Sequence, residues 1–206
     1  MAESVLILAC GALARELAAI RRLNGWDDVR ILGLPQRLHA VPAEIPGAVR
    51  EVLERERVRH SRIFVAYADC GTLGELDRVI ADYGAERLPG AHCYAAYCGE
   101  AEFARLAAEQ PGSFYLTDFL VRHFERLVVH GLGLDRRPEL LPHYFGHYRR
   151  VVYLSQSGSA ALRERARAYA ARLGLGFVER PTGLAALEHA LGPLRRDATA
   201  TLQEST

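Results

Sequence analysis

The sequence predicts an α/β protein: a mainly parallel sheet flanked by helices in a Rossmann-like three-layer arrangement. Three observations carry that expectation. Apolar runs of strand length recur without polar alternation, the mark of strands covered on both faces. Each run hands over to a segment with apolar residues at helical spacing. No linker, repeat or low-complexity stretch interrupts the alternation. One domain over residues 1–194 is therefore expected, with a disordered tail, RRDATATLQEST, at 195–206.

SVLILA, Ser4–Ala9, is the first buried strand. GALARELAAIRRLNG follows as a helix, with Leu13, Leu17 and Ile20 on one face and Asn24-Gly25 as its stop. VRILGL, 29–34, is the second strand; Pro35, Pro42 and Pro46 make the next stretch irregular before GAVREVLERERVR turns helical. SRIFVAYADCG, 61–71, is the third strand, and Leu73, Leu76, Val79 and Ile80 stripe the helix after it. Residues 85–99 admit two readings: a short strand near 87–91 with a helix from His92 or Cys93, or a strand through to Tyr97. EAEFARLAAEQPG is helical, SFYLT is extended, and Asp118 is an acceptable N-cap for the following helix. RPELLPHYFGHY reads as an irregular aromatic loop, since Gly146 argues against a helix joining His143 to His147. RRVVYLSQSG, 149–158, is the last clear buried strand, and Ser157 or Ser159 opens its helix. LGFVERPT and GLAALEHAL close the chain as a strand and a helix.

Composition narrows the chemistry. The 206 residues are 50% hydrophobic, enough for a core without disulfide staples. A net charge of +1 offers no field toward nucleic acid or a membrane, so neither is an expected partner. All 26 basic residues are arginine, which excludes Schiff-base and P-loop lysine chemistry. No GxGxxG, Walker or GxSxG pattern occurs. No membrane span or export signal is read, so a cytoplasmic location is expected, where the four cysteines stay reduced.

Those cysteines recur at comparable places. Cys10-Gly11 and Cys70-Gly71 each end an apolar run, and Cys93 follows the short-strand reading of 85–99. His39 lies in the proline-rich stretch after the second strand. In an open parallel sheet the strand carboxyl ends share one edge, where sites form. Several thiolates there raise one another's pKa, and a bound cation removes that conflict. Thiolates with one imidazole suit zinc; an iron–sulfur cluster is the alternative, though its cysteines are usually closer in sequence. Cys98 reads as packing unless residues 91–97 are all strand. Asp69 would either bond a ligating His39 or cap the next helix. SQSGS, 155–159, offers a small anion site at a helix N-terminus.

The segments ILACGALAREL, LHAVPAEIPGAVREVL, IFVAYADCGTLGEL, LPGAHCYAAYCGEAEF and PGSFYLT together resemble the domain of unknown function 1638 family over about residues 4–190. The resemblance selects Cys10, His39, Cys70 and Cys93 over Cys98, and implies an α/β fold with a metal site. Gly11, Tyr67, Asp69, Gly71, His92 and Tyr115 are the candidates to support the ligands or touch a substrate. Many members carry Asp where this chain has His92. Members often occur beside corrinoid proteins and corrinoid-dependent methyltransferases, which makes either a candidate partner.

The expected function is therefore a Cys/His metal-binding protein, an enzyme or accessory factor in corrinoid-linked methyl transfer and one-carbon metabolism. Two alternatives stand beside it. One is a non-catalytic carrier of metal or cofactor, with the aromatic 143–148 loop as a contact surface. The other is a cysteine-nucleophile enzyme in which Cys10 attacks and His39 is its base.

Overall fold

The computed structural model describes residues 4–195; the expected tail, from 196 onward, lies outside the described residues. The chain forms two compact units. The first draws on Met1–Ala96 and Ala186–Thr206, the second on Tyr97–Ala185.

The first unit holds four strands: β1 (Val5–Cys10), β2 (Val29–Leu34), β3 (Arg62–Ala66) and β4 (Glu86–Arg87). Their order is β2-β1-β3-β4 and every pairing is parallel. β1 is buried along its whole length, as its unbroken apolar run requires of a strand covered on both faces. The crossovers are α1 (Ala14–Leu23), α2 (Ile45–Glu56) and α3 (Glu75–Ala81). Leu17 and Ile20 of α1 are buried, as are Val49, Val52 and Leu53 of α2. Burying each such side chain stabilises by about 1.5–3 kcal/mol. Between β2 and α2 the prolines leave two 3₁₀ turns, Gln36–Ala40 and Pro42–Glu44. β4 ends at Arg87 and α4 (Cys93–Cys98) begins after five intervening residues, so a short strand followed by a helix from Cys93 is present, with the strand at 86–87 rather than 87–91.

The second unit contains α5 (Glu100–Glu109), β5 (Ser113–Thr117), α6 (Asp118–Arg122), α7 (Leu141–Phe145), β6 (Arg150–Ser155), α8 (Ala160–Arg172) and β7 (Gly176–Pro181). A π-helical stretch at Glu125–His130 follows α6. Its sheet, β5-β6-β7, is again parallel. α9 (Ala185–Ala190), which from Ala186 belongs to the first unit, follows with Leu187 buried. The α/β architecture is thus two parallel sheets with flanking helices, where the alternation alone suggested one.

Two local expectations are corrected. The N-cap of α6 is Thr117, whose side chain accepts from the Leu120 N–H; Asp118 is the first helical residue and faces elsewhere. Leu141–Phe145 is a short helix rather than irregular chain, begun by Pro142 at its first turn and ended at Gly146. Phe145 is buried and Tyr148 packs on the same core, so two aromatics of the 143–148 segment belong to the interior.

Candidate metal centre

Parallel pairing places the carboxyl ends of β1 to β4 on one edge, and the thiols and imidazole gather there. The order of strands reverses at β1, with β2 on one side and β3 on the other, which is the place where open sheets form sites. Cys10 is the last residue of β1 and fully buried. Gly11 then passes so close to β2 that a Cβ would lie 2.8 Å from the Leu34 carbonyl oxygen, and its own N–H donates to that oxygen at 3.0 Å. Only glycine lets the two strand ends approach this way.

Cys70 is set by a strained turn. It has φ 50°, and Gly71, Leu73 and Gly74 after it are also left-handed. The Asp69 carboxylate holds this turn. It accepts from the Gly71, Leu73 and Gly74 amides at 3.2, 3.2 and 2.9 Å and from the Thr72 hydroxyl at 2.8 Å. Those bonds, the Gly74 amide foremost, hold its pKa below the ordinary carboxylate value. Neither role expected for Asp69 is met: the N-cap of α3 is Gly74, with no side-chain cap, and the Asp69 bonds go to the turn before it and not to His39. The Asp69 and Cys70 amides donate to the Gly90 and Ala91 carbonyls at 3.1 and 2.9 Å, which draws the start of α4 to the turn. Cys93 thereby meets Cys70 with 3.2 Å between sulfurs.

One donor atom each from His39, Cys70 and Cys93 lie within 4.8 Å of one another. Two sulfurs sharing a tetrahedral zinc at about 2.3 Å per bond sit about 3.8 Å apart, so the set needs only a small expansion to close on an ion. Cys10 is outside this trio but touches the imidazole: its sulfur is 3.4 Å from Nδ1 and 3.9 Å from Nε2. It also accepts the Ala12 N–H at 3.4 Å. His39 is exposed as a residue, so the trio is reachable from its side.

The charges are paired before any ion arrives. Cys70 is pulled down to about 5, first by a hydrogen bond from Cys93 and then by His39, against the cost of burial. Cys93 is pushed well above the ordinary thiol value by the same bond and by burial. His39 is pushed up to about 10 by its bonds to Cys10 and Cys70. The metal-free site therefore holds one thiolate, one thiol that donates to it, and an imidazolium.

Tyr67 lies over this group. It is fully buried just after β3, its ring stacks on that of His39 with centroids 6.4 Å apart, and its hydroxyl has no hydrogen-bond partner. Burial first, then the nearby sulfurs of Cys10, Cys93 and Cys70, raise its pKa.

Gly71 has φ 85° and lies against Pro42, beside the His39 turn. His92 is exposed with its ring near Tyr94, 6.5 Å between centroids. Tyr115 belongs to β5 of the second unit and packs on Phe103. Cys98 ends α4, half-buried, with its sulfur 3.7 Å from the Gly99 oxygen; burial raises it to about 11. His143 and His147 are not brought into any group of three or more donors among the described residues.

The expected anion site at SQSGS is filled from within. The Asp118 carboxylate, expected as a cap, accepts from the Gln156 and Ser157 amides at 3.2 and 3.1 Å, from Tyr153 at 2.6 Å, from the Ser157 hydroxyl, and from the Arg122 guanidinium at 3.5 Å. The signal for it was the shared carboxyl edge of two neighbouring parallel strands, which places the start of α6 beside the loop after β6.

A family model described as "Protein of unknown function (DUF1638)" matches residues 33–191. No curated protein and no solved structure matches the chain. No helix among the described residues is long and apolar enough to cross a membrane.

Proposed function

The chain belongs to the DUF1638 family, and we propose that it is a metal-binding protein whose centre, zinc, is held by His39, Cys70 and Cys93. The observation that carries this reading is the approach of three donors from three separate strand–loop junctions to within 4.8 Å. Buried cysteines that merely fill space have no reason to meet an imidazole there. Two sulfurs 3.2 Å apart address a single ion, whereas a [4Fe–4S] cluster takes one cysteine on each iron, so zinc is favoured over that cluster. In this reading His39 coordinates through Nε2, and Nδ1, the nitrogen nearer Cys10, donates to the Cys10 sulfur, which fixes the tautomer and the ring plane. Bound zinc supplies Lewis acidity at an exchangeable fourth position. The chain's own part is to hold the imidazole, keep one thiolate ready in Cys70, and exclude water behind Cys10 and Tyr67.

Anaerobic purification without a histidine tag, followed by elemental analysis, tests the proposal. About one equivalent of zinc is expected, with C70S, C93S and H39A each lowering it sharply and C10S retaining most of it. Less than about a tenth of an equivalent, with none gained on reconstitution, overturns it. Equal loss in C10S instead makes Cys10 the fourth ligand.

The finer reading is that this centre serves methyl transfer to a thiol in one-carbon metabolism, with a corrinoid protein or methyltransferase as partner, in a reducing cytoplasm. Its support is the exchangeable position beside a thiolate and the genomic company that the family keeps. The loaded protein, given methylcobalamin and a small thiol, should bleach the methyl–cobalt absorption as the thioether forms and cob(I)alamin is released. An unchanged spectrum leaves metal binding without this transfer, the carrier alternative.

A further inference from the structure

A buried hydroxyl without a partner costs about 1–3 kcal/mol, so native structures seldom keep one that nothing ever satisfies. Tyr67 is such a group: fully buried, its ring stacked on that of His39 at an interplanar angle of 28°, and its hydroxyl without a hydrogen-bond partner. A phenol is a good donor, and its apolar ring already fills its share of the core. Phenylalanine would serve packing as well without the orphaned oxygen. What the hydroxyl lacks is an acceptor, and the ring it belongs to stacks on the imidazole of the trio.

We propose that the Tyr67 hydroxyl binds an incoming ligand of the metal, a small anion such as a thiolate or carboxylate that takes the fourth position and keeps a lone pair to accept the phenolic hydrogen. This rests on the metal reading above and deepens it: Tyr67 makes the centre select anionic ligands with a spare acceptor over neutral ones without. A phenol is a proton donor at neutral pH, so it reaches the ligand as a donor. The selection is by hydrogen bond and needs no movement of the backbone, since Tyr67 is anchored through its N–H to the Val65 carbonyl at 2.8 Å.

Cobalt(II) replaces zinc in the full chain and reports ligand exchange through its visible absorption. Azide and imidazole are the two probes: bound azide retains acceptor lone pairs, while bound imidazole presents only an N–H. For Tyr67→Phe the expectation is unchanged cobalt stoichiometry, about tenfold weaker azide binding, and imidazole binding equal to wild type. Metal-free Tyr67→Phe should melt at or above the wild-type temperature, because the variant removes an unsatisfied group. Equal azide affinity in the two proteins overturns the inference and leaves the metal reading intact. So does a lower melting temperature with reduced cobalt content, which marks Tyr67 as structural. A wild-type protein that takes up no cobalt fails the metal reading itself.

Discussion

The two units use the same device, a parallel sheet whose carboxyl edge collects polar side chains, and bring it to opposite ends. In the second unit the edge is closed. Asp118 is 1% exposed, and two amides, a phenol and a hydroxyl all donate to its carboxylate. Burial and that carboxylate together raise the Tyr153 phenol, which keeps it a donor. In the first unit the edge is left open. A thiolate, a thiol and an imidazolium balance one another, while the phenol above them has no partner. Buried polar groups that satisfy each other rigidify a fold; groups that do so only in part mark a place for something else to bind.

The comparison can be broken most forcefully at its closed end. Asp118→Ala strands two amides, a phenol and a hydroxyl and unpairs Arg122, and a loss of about 3 kcal/mol in urea denaturation is expected, with metal content per folded chain unchanged. A neutral result would show that water replaces the carboxylate and that the edge is not closed by it.

Proton release sharpens the contrast at the open end. At pH 7 Cys70, lowered to about 5, has already lost its proton, while His39, raised to about 10, and Cys93, raised above its ordinary value, keep theirs. Zinc must displace one proton from each of the latter, so two are released. Apparent affinity should rise about a hundredfold per pH unit between roughly pH 6 and 9 and more steeply below the Cys70 value, where three leave. Release into weak buffer with an indicator dye measures this; a single proton would mean that Cys93 stays a thiol and is not a ligand. The same directions set the metal-free stability. The raised His39 contributes below its unfolded value near 6.5, a contribution lost as pH climbs through about 10; the lowered Cys70 contributes above its unfolded value, lost as pH falls through about 5.

Smaller effects follow from the strand ends. Gly11→Ala puts a methyl 2.8 Å from the Leu34 oxygen and should destabilise by about 1–3 kcal/mol while displacing Cys10, with thermal melting and zinc content both falling. Cys98→Ser is the quiet control: zinc stoichiometry unchanged and stability moved by less than about 1 kcal/mol.

Much of the fold was legible because periodicity is local. β1, β2 and α8 fall where the apolar runs and Ser159 place them, and Ser159 caps α8 through the Leu162 amide. The ends of β3 and α3 were overread. The left-handed turn at 70–74 depends on bonds from Asp69 that no period announces, and it shortens both elements. The candidate donors were legible as cysteines at strand ends, but the spacing treated Cys10 as the equal of Cys70 and Cys93. Only side-chain placement puts it outside the trio, against the imidazole with its sulfur 3.4 Å from Nδ1.

By itself the chain's order of residues determined the alternation of strand and helix, the parallel pairing that follows from it, and the meeting of thiols and an imidazole at one edge. Each of these comes from burial patterns and chain direction, which neighbouring residues carry. Tertiary structure alone decided that there are two sheets, that Asp118 seals one edge, and that Tyr67 is left without a partner over the other. Those outcomes depend on distances between groups dozens of residues apart, where a shift of one ångström separates a hydrogen bond from none.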